Sequence, residues 1–480
     1  MATLRCLLHE AAGISAAQPA LLDRQRSLSF VELEQRVARA ALHLVNAGVR
    51  PGDRVLLRLA NSLELLVLLL ALPRTGAIAA PLNPRLPASA VLERAREIQA
   101  TLLLTTRTEN PELSPADIRT LAYEDLASFV EGPAEAGLRP EFALDAPHTL
   151  VFTSGSSGRP KPALLSFGNL YYSARGVNAA LGVRSRDRWL LTLPLCHVSG
   201  LGALYRCLLA GATLALAQSG EELGEEILLY AATHVSLVPT QLARLLEHED
   251  LPAIAAALKA ILLGGAPCPP ELLARARAAK LPVHPSYGMT EMASTITLAP
   301  AGLPAGLDPG SGRALPHREW RVREGEIEVR GPTLFLGYWR PEGAPDRPLT
   351  PDGWFATGDL GTSADEWLHV TGRRDNLFIS GGENIHPETI ERALCRHAGA
   401  AEALVVPIPD TRFGQRPVAF VRMRDPADDL GALADRLAPH LARHEIPDRF
   451  LPLPLAAGEG MKVDRAAFAR LAARAAAQRP

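Results

Sequence analysis

The pattern that most restricts the fold is an alternation of helix-period and strand-period segments in two separate stretches of the chain. From about residue 28, Phe30 to Gly48 carries apolar residues at helical spacing, Arg50-Pro-Gly-Asp53 reads as a turn and Val55 to Leu59 as a short strand. The rhythm returns at Leu190–Leu193 (strand), Leu201–Leu209 (helix), Thr213–Ala217 (strand), Leu223–Ala232 (helix) and Val235–Val238 (strand). Strands separated by helices pair most readily in parallel with helices on the sheet faces, so an α/β fold with layered, largely parallel sheets is expected. After Gly302 the texture changes to short strands between Gly and Pro turns, as in Glu326-Ile-Glu-Val-Arg330-Gly-Pro, which predicts a smaller β-rich subdomain. From about Leu377 the chain reads strand, helix (Pro387–His397), strand (Ala403–Pro407), strand (Pro417–Met423), helix (Leu430–Arg443), a compact α+β unit of its own.

With 480 residues, 47% of them hydrophobic and 21% charged, the chain is too apolar for disorder, and its length suits roughly two to four domains. Its 50 basic and 52 acidic residues leave a formal charge of −2, so no net positive field recruits a nucleic acid. The longest apolar run, Leu63–Leu72, is about half the ~20 residues that cross a bilayer as a helix, and is read as a buried core segment. Met1–Ile14 holds Arg5, His9 and Glu10 and does not read as a secretory signal, so the chain is expected in the cytosol. Cys6, Cys196, Cys207, Cys268 and Cys395 are scattered and odd in number, which suits free thiols and not a disulfide framework or a zinc site. Only four basic residues are lysines: Lys161, Lys259, Lys280 and Lys462. A lysine kept where arginine is otherwise used can mark a place that needs a compact point charge. Two of the four fall inside motifs.

The strongest motif is Thr153-Ser-Gly-Ser-Ser-Gly-Arg-Pro-Lys161, which follows the apolar strand Thr149-Leu-Val-Phe152. Its glycines (Gly155, Gly158) let backbone N–H groups turn inward, Thr153, Ser154, Ser156 and Ser157 add hydroxyls, and Lys161 closes the loop with a positive charge. Such a loop can cradle a polyphosphate. It is not the G-x-x-x-x-G-K-[ST] loop, because Lys161 stands between Pro160 and Pro162. No G-x-S-x-G elbow or H-E-x-x-H pair is present, so a hydrolase or zinc peptidase has no local support.

This loop resembles the phosphate-binding signature of the adenylate-forming superfamily: acyl-CoA synthetases, luciferases and the adenylation domains of peptide synthetases. Further signatures recur in the family's order across nearly the whole chain. Ser286-Tyr-Gly-Met-Thr-Glu291 is similar to the second nucleotide segment, where the resemblance implies that Tyr287 stacks on adenine, Thr290 touches the α-phosphate and Glu291 holds Mg²⁺. Leu262-Leu-Gly-Gly-Ala266-Pro resembles the turn in which Gly264, Gly265 and Ala266 flank adenine and the acyl group. Trp354-Phe-Ala-Thr-Gly-Asp359 and Gly372-Arg373-Arg-Asp375 resemble the ribose-binding segments, with Asp359 and Arg373 on the ribose and Asp375 as hinge. Gly458-Glu-Gly-Met-Lys462 resembles the mobile loop of the catalytic lysine. Standing alone, several of these segments would read as ordinary turns, caps or surface ion pairs.

The resemblance implies a large N-terminal AMP-binding domain (about 1–374) and a smaller, mobile C-terminal domain (about 376–480). It also implies the reaction, in which ATP and a carboxylate give an acyl-adenylate and a thiol then displaces AMP. Phe378-Ile-Ser-Gly-Gly-Glu-Asn-Ile-His386 resembles the segment whose Gly381-Gly382 pair lets a pantetheine arm pass, so coenzyme A is the implied acceptor. Amino-acid-activating members carry an aspartate in the segment equivalent to Leu193-Pro-Leu-Cys-His-Val-Ser-Gly200, and none is present. Pro194–Gly200, Ser236-Leu-Val-Pro-Thr-Gln241, Ser380–Asn384 and the short Gly-Met-Lys462 are most similar to the o-succinylbenzoate–CoA ligase branch. Its substrate carries a second, aromatic carboxylate and a keto group, which call for polar donors in an apolar pocket. The candidates are His197, Ser199, Thr240, Gln241 and Arg206, with Gly264 on the backbone side. An aryl- or fatty-acid–CoA ligase of other specificity, and a non-catalytic nucleotide-binding protein, remain the alternatives. The sequence leaves the oligomeric state open.

Overall fold

Two large sheets carry most of the chain. The computed structural model describes residues 2–107, 118–126, 141–153, 160–218, 220–304, 310–454 and 465–477. In one sheet nine strands follow the order Arg313–Ala314, Ser294–Leu298, Val283–Met289, Ala260–Leu263, His234–Leu237, Arg188–Leu191, Thr213–Leu216, Pro19–Leu22 and Ser27–Ser29. Its central strands, from Val283–Met289 to Pro19–Leu22, run parallel, and antiparallel pairs close both edges. A seven-stranded sheet places the hairpin Pro147–Thr153/Lys161–Ser166 beside the parallel strands Ile78–Pro81, Arg54–Leu57, Leu102–Thr105 and Thr120–Ala122. The expected β-rich unit is a four-stranded antiparallel sheet, Glu319–Arg323, Glu326–Arg330, Phe355–Ala364 and Trp367–Arg373.

The run read as a core segment is the helix Leu63–Thr75. Ser62 caps it by accepting the Leu65 N–H at 3.2 Å, and Gly76, with φ 84°, ends it in the left-handed conformation. Every residue of the helix except Glu64 is buried. It shares one apolar core with the helices Phe30–Asn46 and Val198–Ala210 and with strands of both large sheets. No helix among the described residues is long and apolar enough to cross a membrane.

Beyond Leu377 a separate core forms from Phe378, Ile390, Leu394, Val405, Val421, Leu433 and Leu437. It lies around the three-stranded sheet Ala400–Asp410, Gly414–Met423 and Arg449–Pro452, with the helix Pro387–His397 where the sequence places it. The helix expected over Leu430–Arg443 is much shorter, a 3₁₀ turn Leu430–Ala432 followed by Leu433–Leu437. Pro439 accounts for the difference. It lacks an N–H for the helix ladder, which stops there although Ala438 keeps helical dihedrals (φ −52°, ψ −34°), so apolar spacing alone overran the true end.

One buried histidine has a consequence for stability. His148 is 3% exposed, packed on Phe142 and Phe167 and within 3.2 Å of the Tyr205 hydroxyl. Burial pushes its pKa down from 6.5 to about 3, so it is neutral in the folded state and unfolding takes up a proton between those values. Stability should therefore be complete above about pH 6.5 and fall as pH drops below it, by at most about 1.4 kcal/mol per pH unit from this group. Urea unfolding near pH 7 and near pH 5 should show a smaller difference in His148→Gln than in the parent chain. Equal differences would assign the acid sensitivity to other groups.

Candidate active site

Open α/β sheets bind ligands beyond the carboxyl ends of their parallel strands, where the connecting loops diverge. Here those ends open into one cleft. Leu193, Cys196 and His197 follow Arg188–Leu191; Val238, Pro239 and Thr240 follow His234–Leu237; Gly264–Cys268 follow Ala260–Leu263; Pro285–Glu291 complete the last strand and its turn. Thr153, Lys161, Asp359, Arg373 and Asp375 line the cleft from the other sheets and the segment after them. Residues drawn from six separate parts of the sequence thus share one space.

On one side the groups are linked by hydrogen bonds and register. Tyr287 Oη donates to Asp359 Oδ2 at 2.6 Å, and Arg373 Nη1 lies 3.3 Å from Asp359 Oδ1. Asp359 and Arg373 are register partners on adjacent antiparallel strands, so strand pairing itself sets them together. Burial, followed by the Asp359 charge, holds the Tyr287 phenol well above its ordinary pKa, so it stays a donor. Arg373 Nη2 is 3.9 Å from Asp375 Oδ2 in the turn that leads to the second core.

Thr153 and Lys161 face each other across the hairpin, and Thr153 Oγ1 donates to the Lys161 carbonyl at 3.3 Å. The loop between them, with Ser154, Gly155, Ser156, Ser157 and Gly158, lies outside the described residues, as does Lys462. Lys161 Nζ stands 5.1 Å from the centre of the Tyr338 ring, and the Tyr338 hydroxyl donates to Glu291 Oε1 at 2.7 Å. Tyr338, on the edge strand Gly337–Tyr338, joins the loop lysine to the buried Glu291; in sequence it offers only an aromatic residue beside a glycine. Among the described residues no group of three or more His, Cys, Asp or Glu could hold a metal. A Mg²⁺ ion at Glu291 would therefore rest on one carboxylate, phosphate oxygens and water, a common arrangement for this ion.

The opposite wall holds buried polar atoms that lack partners. Arg206 is fully buried in the helix Val198–Ala210. Its Nη2 donates to Ser294 Oγ (3.2 Å) and weakly to Thr295 Oγ1 (3.5 Å), while Nε and Nη1 have no hydrogen-bond partner. Ser199 Oγ and Ser236 Oγ are likewise buried without partners, and all three residues line the cleft with His197. Ser236 was missed as a site residue because a serine inside an apolar strand reads as ordinary core.

One expectation needs correction. Gln241 does not line the cleft; its Oε1 accepts the Val238 N–H at 3.1 Å, at the start of the helix Pro239–Leu245. The spacing placed it beside Thr240, but a helix start draws a polar side chain three residues in to its unsatisfied N–H groups. Gly381 and Gly382 form the two-residue turn of the hairpin Phe378–Ser380/Glu383–Ile385, which does not line the cleft in this domain arrangement. Their φ values of 62° and 92° suit a tight hairpin that favours glycine at both positions. The turn alone explains them, so their presence is not by itself an argument for passage of a thiol arm.

The model described as AMP-binding enzyme matches residues 8–339, and the one described as AMP-binding enzyme C-terminal domain matches residues 389–454. The chain belongs to the AMP-binding enzyme family. Similar AMP-binding enzymes include the 2-succinylbenzoate–CoA ligase of Escherichia coli strain K12, 37% identical over 454 residues and 94% of each chain. The ligase of that name from Salmonella typhimurium is 36% identical over 460 residues, 95% of each chain. Among solved structures, the o-succinylbenzoate CoA synthetase of Bacillus subtilis in complex with the acyl-adenylate intermediate OSB-AMP is 31% identical, with a TM-score of 0.87 over 98% of both chains.

Between the two sides of this cleft the backbone is strained. Ala293 and Ser294 have φ of 53° and 111°, and a Cβ on Gly288 would come within 2.1 Å of the Ser294 carbonyl oxygen. Gly288→Ala should force these segments apart and cost about 2 kcal/mol or more. Chemical denaturation would measure it, and a cost below about 0.5 kcal/mol would show that the turn yields without strain.

Proposed function

We propose that this protein is an ATP- and Mg²⁺-dependent acid–CoA ligase that converts 2-succinylbenzoate to 2-succinylbenzoyl-CoA, the ligation used in menaquinone synthesis. The observation that carries the choice of acid is Arg206, a buried guanidinium on the cleft wall with two nitrogens unsatisfied and no carboxylate paired with it among the described residues. A buried charge calls for a counter-ion, and a substrate with a second carboxylate brings one. Ser199, Ser236 and His197 lie along the same wall, where they can donate to that carboxylate and to the keto oxygen. Benzoate-like and fatty acids leave Arg206 unpaired.

In the first step a carboxylate oxygen bonds to the α-phosphorus of ATP, and the bond to the β-phosphate bridge breaks, releasing pyrophosphate. In the second the CoA sulfur bonds to the acyl carbon, its proton is lost, and AMP leaves with the electron pair. Both reactants of the first step are anions, so the protein's work is alignment and charge neutralisation, with no side-chain nucleophile. We assign the Thr153–Lys161 loop to the phosphates, Thr290 to the α-phosphate, Tyr287 to adenine, and Asp359 with Arg373 to the ribose. Gly264, Gly265 and Ala266 let nucleotide and acyl group approach the backbone. Mg²⁺ held by Glu291 supplies further neutralisation of phosphate charge when bound. We assign Lys462 to the reacting carboxylate and α-phosphate, and the domain boundary to Asp375, about which the small domain turns to bring the Gly381–Gly382 hairpin to the adenylate. We assign the protein to the cytoplasm, as the compartment that supplies ATP and CoA to such a ligase.

Pyrophosphate release with ATP, Mg²⁺ and CoA should be supported by 2-succinylbenzoate and not by benzoate, hexanoate or palmitate, with the thioester detected by mass. Preference for another acid would overturn the choice of substrate and leave the reaction type; no reaction with any acid would favour a non-catalytic nucleotide binder. Arg206→Met should raise KM for 2-succinylbenzoate about 30-fold or more, as loss of a charge-assisted hydrogen bond does, and shift KM for ATP less than about twofold. In Lys462→Ala adenylation should fall by about 100-fold or more while thioester formation from preformed acyl-adenylate persists, and equal loss of both halves would remove the role given to Lys462.

A further inference from the structure

A second buried arginine stands behind the first. Arg318 is 4% exposed and does not line the cleft. Its Nη1 donates to the Thr295 carbonyl at 2.6 Å, and its Nη2 to the carbonyls of Ser173 (3.2 Å) and Tyr172 (3.4 Å), while Nε is buried without a partner. Its hydrogen-bond acceptors are carbonyl oxygens, and among the described residues no carboxylate pairs with it. The side chain has been given room for this. A Cβ on Gly176 would lie 3.0 Å from Arg318 Nη2 and 2.8 Å from the Pro316 carbonyl oxygen.

The two arginines meet on one turn. Thr295 offers its hydroxyl to Arg206 and its carbonyl to Arg318, and Ser294 adds a hydroxyl to Arg206. That turn includes the positive-φ residues Ala293 and Ser294 and is fastened again by Ser173 Oγ, which donates to the Ala293 carbonyl at 2.6 Å. Burial pushes both guanidinium pKa values down, Arg206 to about 10 and Arg318 to about 9, with the Arg206 charge adding to the fall at Arg318. Two like charges out of water without an acid between them is a costly arrangement for a core, and a reasonable one for a pocket that waits for an anion.

We propose that Arg318 is a positioning and specificity-determining residue: by fastening the Ala293–Thr295 turn from behind it aims Arg206 at the cleft, and its own unneutralised charge strengthens the pocket's selection of a substrate with a second carboxylate. The inference rests on the diacid reading above. Arg318 touches no substrate and acts through Arg206 and through the field.

The test compares 2-succinylbenzoate with 4-oxo-4-phenylbutanoate, which is the same acid without the ring carboxylate. The readout is the ratio of kcat/KM for the two, a quantity that a general loss of folded protein does not change. Arg318→Met should lower this ratio about tenfold, through KM for the diacid, while kcat/KM for the monoacid and KM for ATP move less than about twofold. Arg318→Lys keeps the charge and should hold the ratio within about threefold of the parent. A parallel loss on both acids, or an unchanged ratio in Arg318→Met, would overturn the proposal and leave a structural arginine. If Arg318→Met does not fold, Arg318→Gln replaces it with the same expectation, and a tenfold fall in Arg318→Lys would by itself overturn the part given to charge. A parent enzyme that does not distinguish the two acids would overturn the diacid reading and this proposal with it, whereas a discriminating parent with an unchanged Arg318→Met overturns the proposal alone.

Discussion

A guanidinium removed from water is expensive, and at Arg206 no carboxylate among the described residues offsets that cost, so its neighbours have to accommodate it. The helix that carries it, Val198–Ala210, is mostly apolar, and the side chain folds back along it over Gly202, one turn earlier. A Cβ there would stand 2.9 Å from Nη2. Beneath the charge lies the ring of Trp189, 5.0 Å from Cζ, and above it the Ser294 and Thr295 hydroxyls. These contacts soften the desolvation without neutralising it. A bound carboxylate meets donors already in place and already dehydrated, so less of its binding energy is lost to reorganisation.

The nucleotide side of the cleft is built on a different principle. Its groups are set by backbone register more than by burial: Asp359 opposite Arg373, and Thr153 opposite Lys161 at the two ends of the phosphate loop. Tyr287 and Tyr338 then tie strands of separate sheets together, each by donating a phenol to a carboxylate. A site fixed by register tolerates many surrounding sequences, since pairing positions the residues whatever their neighbours are. One fixed by an unpaired buried charge does not. The chemistry common to the family and the selectivity of this chain thus rest on separable parts of the fold.

That division also explains what was legible in the sequence. The α/β alternation, the buried Leu63–Leu72 run and the helix Pro387–His397 follow from local period and caps, and the structure has them where the sequence puts them. The nucleotide segments were legible because they are contiguous motifs. Of the acyl wall, the resemblance named His197, Ser199 and Arg206 but not Ser236, and it could not show which atoms lack partners after folding. An arginine in Leu-Tyr-Arg-Cys-Leu gives no sign that two of its nitrogens will go unsatisfied, and Arg318 in Pro-His-Arg-Glu-Trp reads as surface. Gln241 failed for a related reason. Its neighbours suggested a pocket, but a helix start competes for the same amide side chain and is closer.

The Gly381–Gly382 hairpin bears on how the two half-reactions are divided. It sits on the small-domain side of Asp375 and off the cleft in this arrangement, tied by Gly381 N–H to the Phe413 carbonyl at 2.9 Å. The small domain instead presents Glu388, Arg392 and Arg396 to the cleft, and Arg392 reaches back across the boundary to the Thr371 carbonyl at 2.9 Å. A thiol arm guided by the hairpin therefore cannot meet an acyl group held near Arg206 while this face is turned inward. If the hairpin serves the second step, the small domain has to turn, and the contacts it gives up include those of Arg392 to the Thr371 carbonyl and of Arg424 to Glu271. Arg206, His197, Ser199 and Ser236, by contrast, all lie on the large-domain side of Asp375, so an acyl group bound as proposed would keep these contacts through the turn.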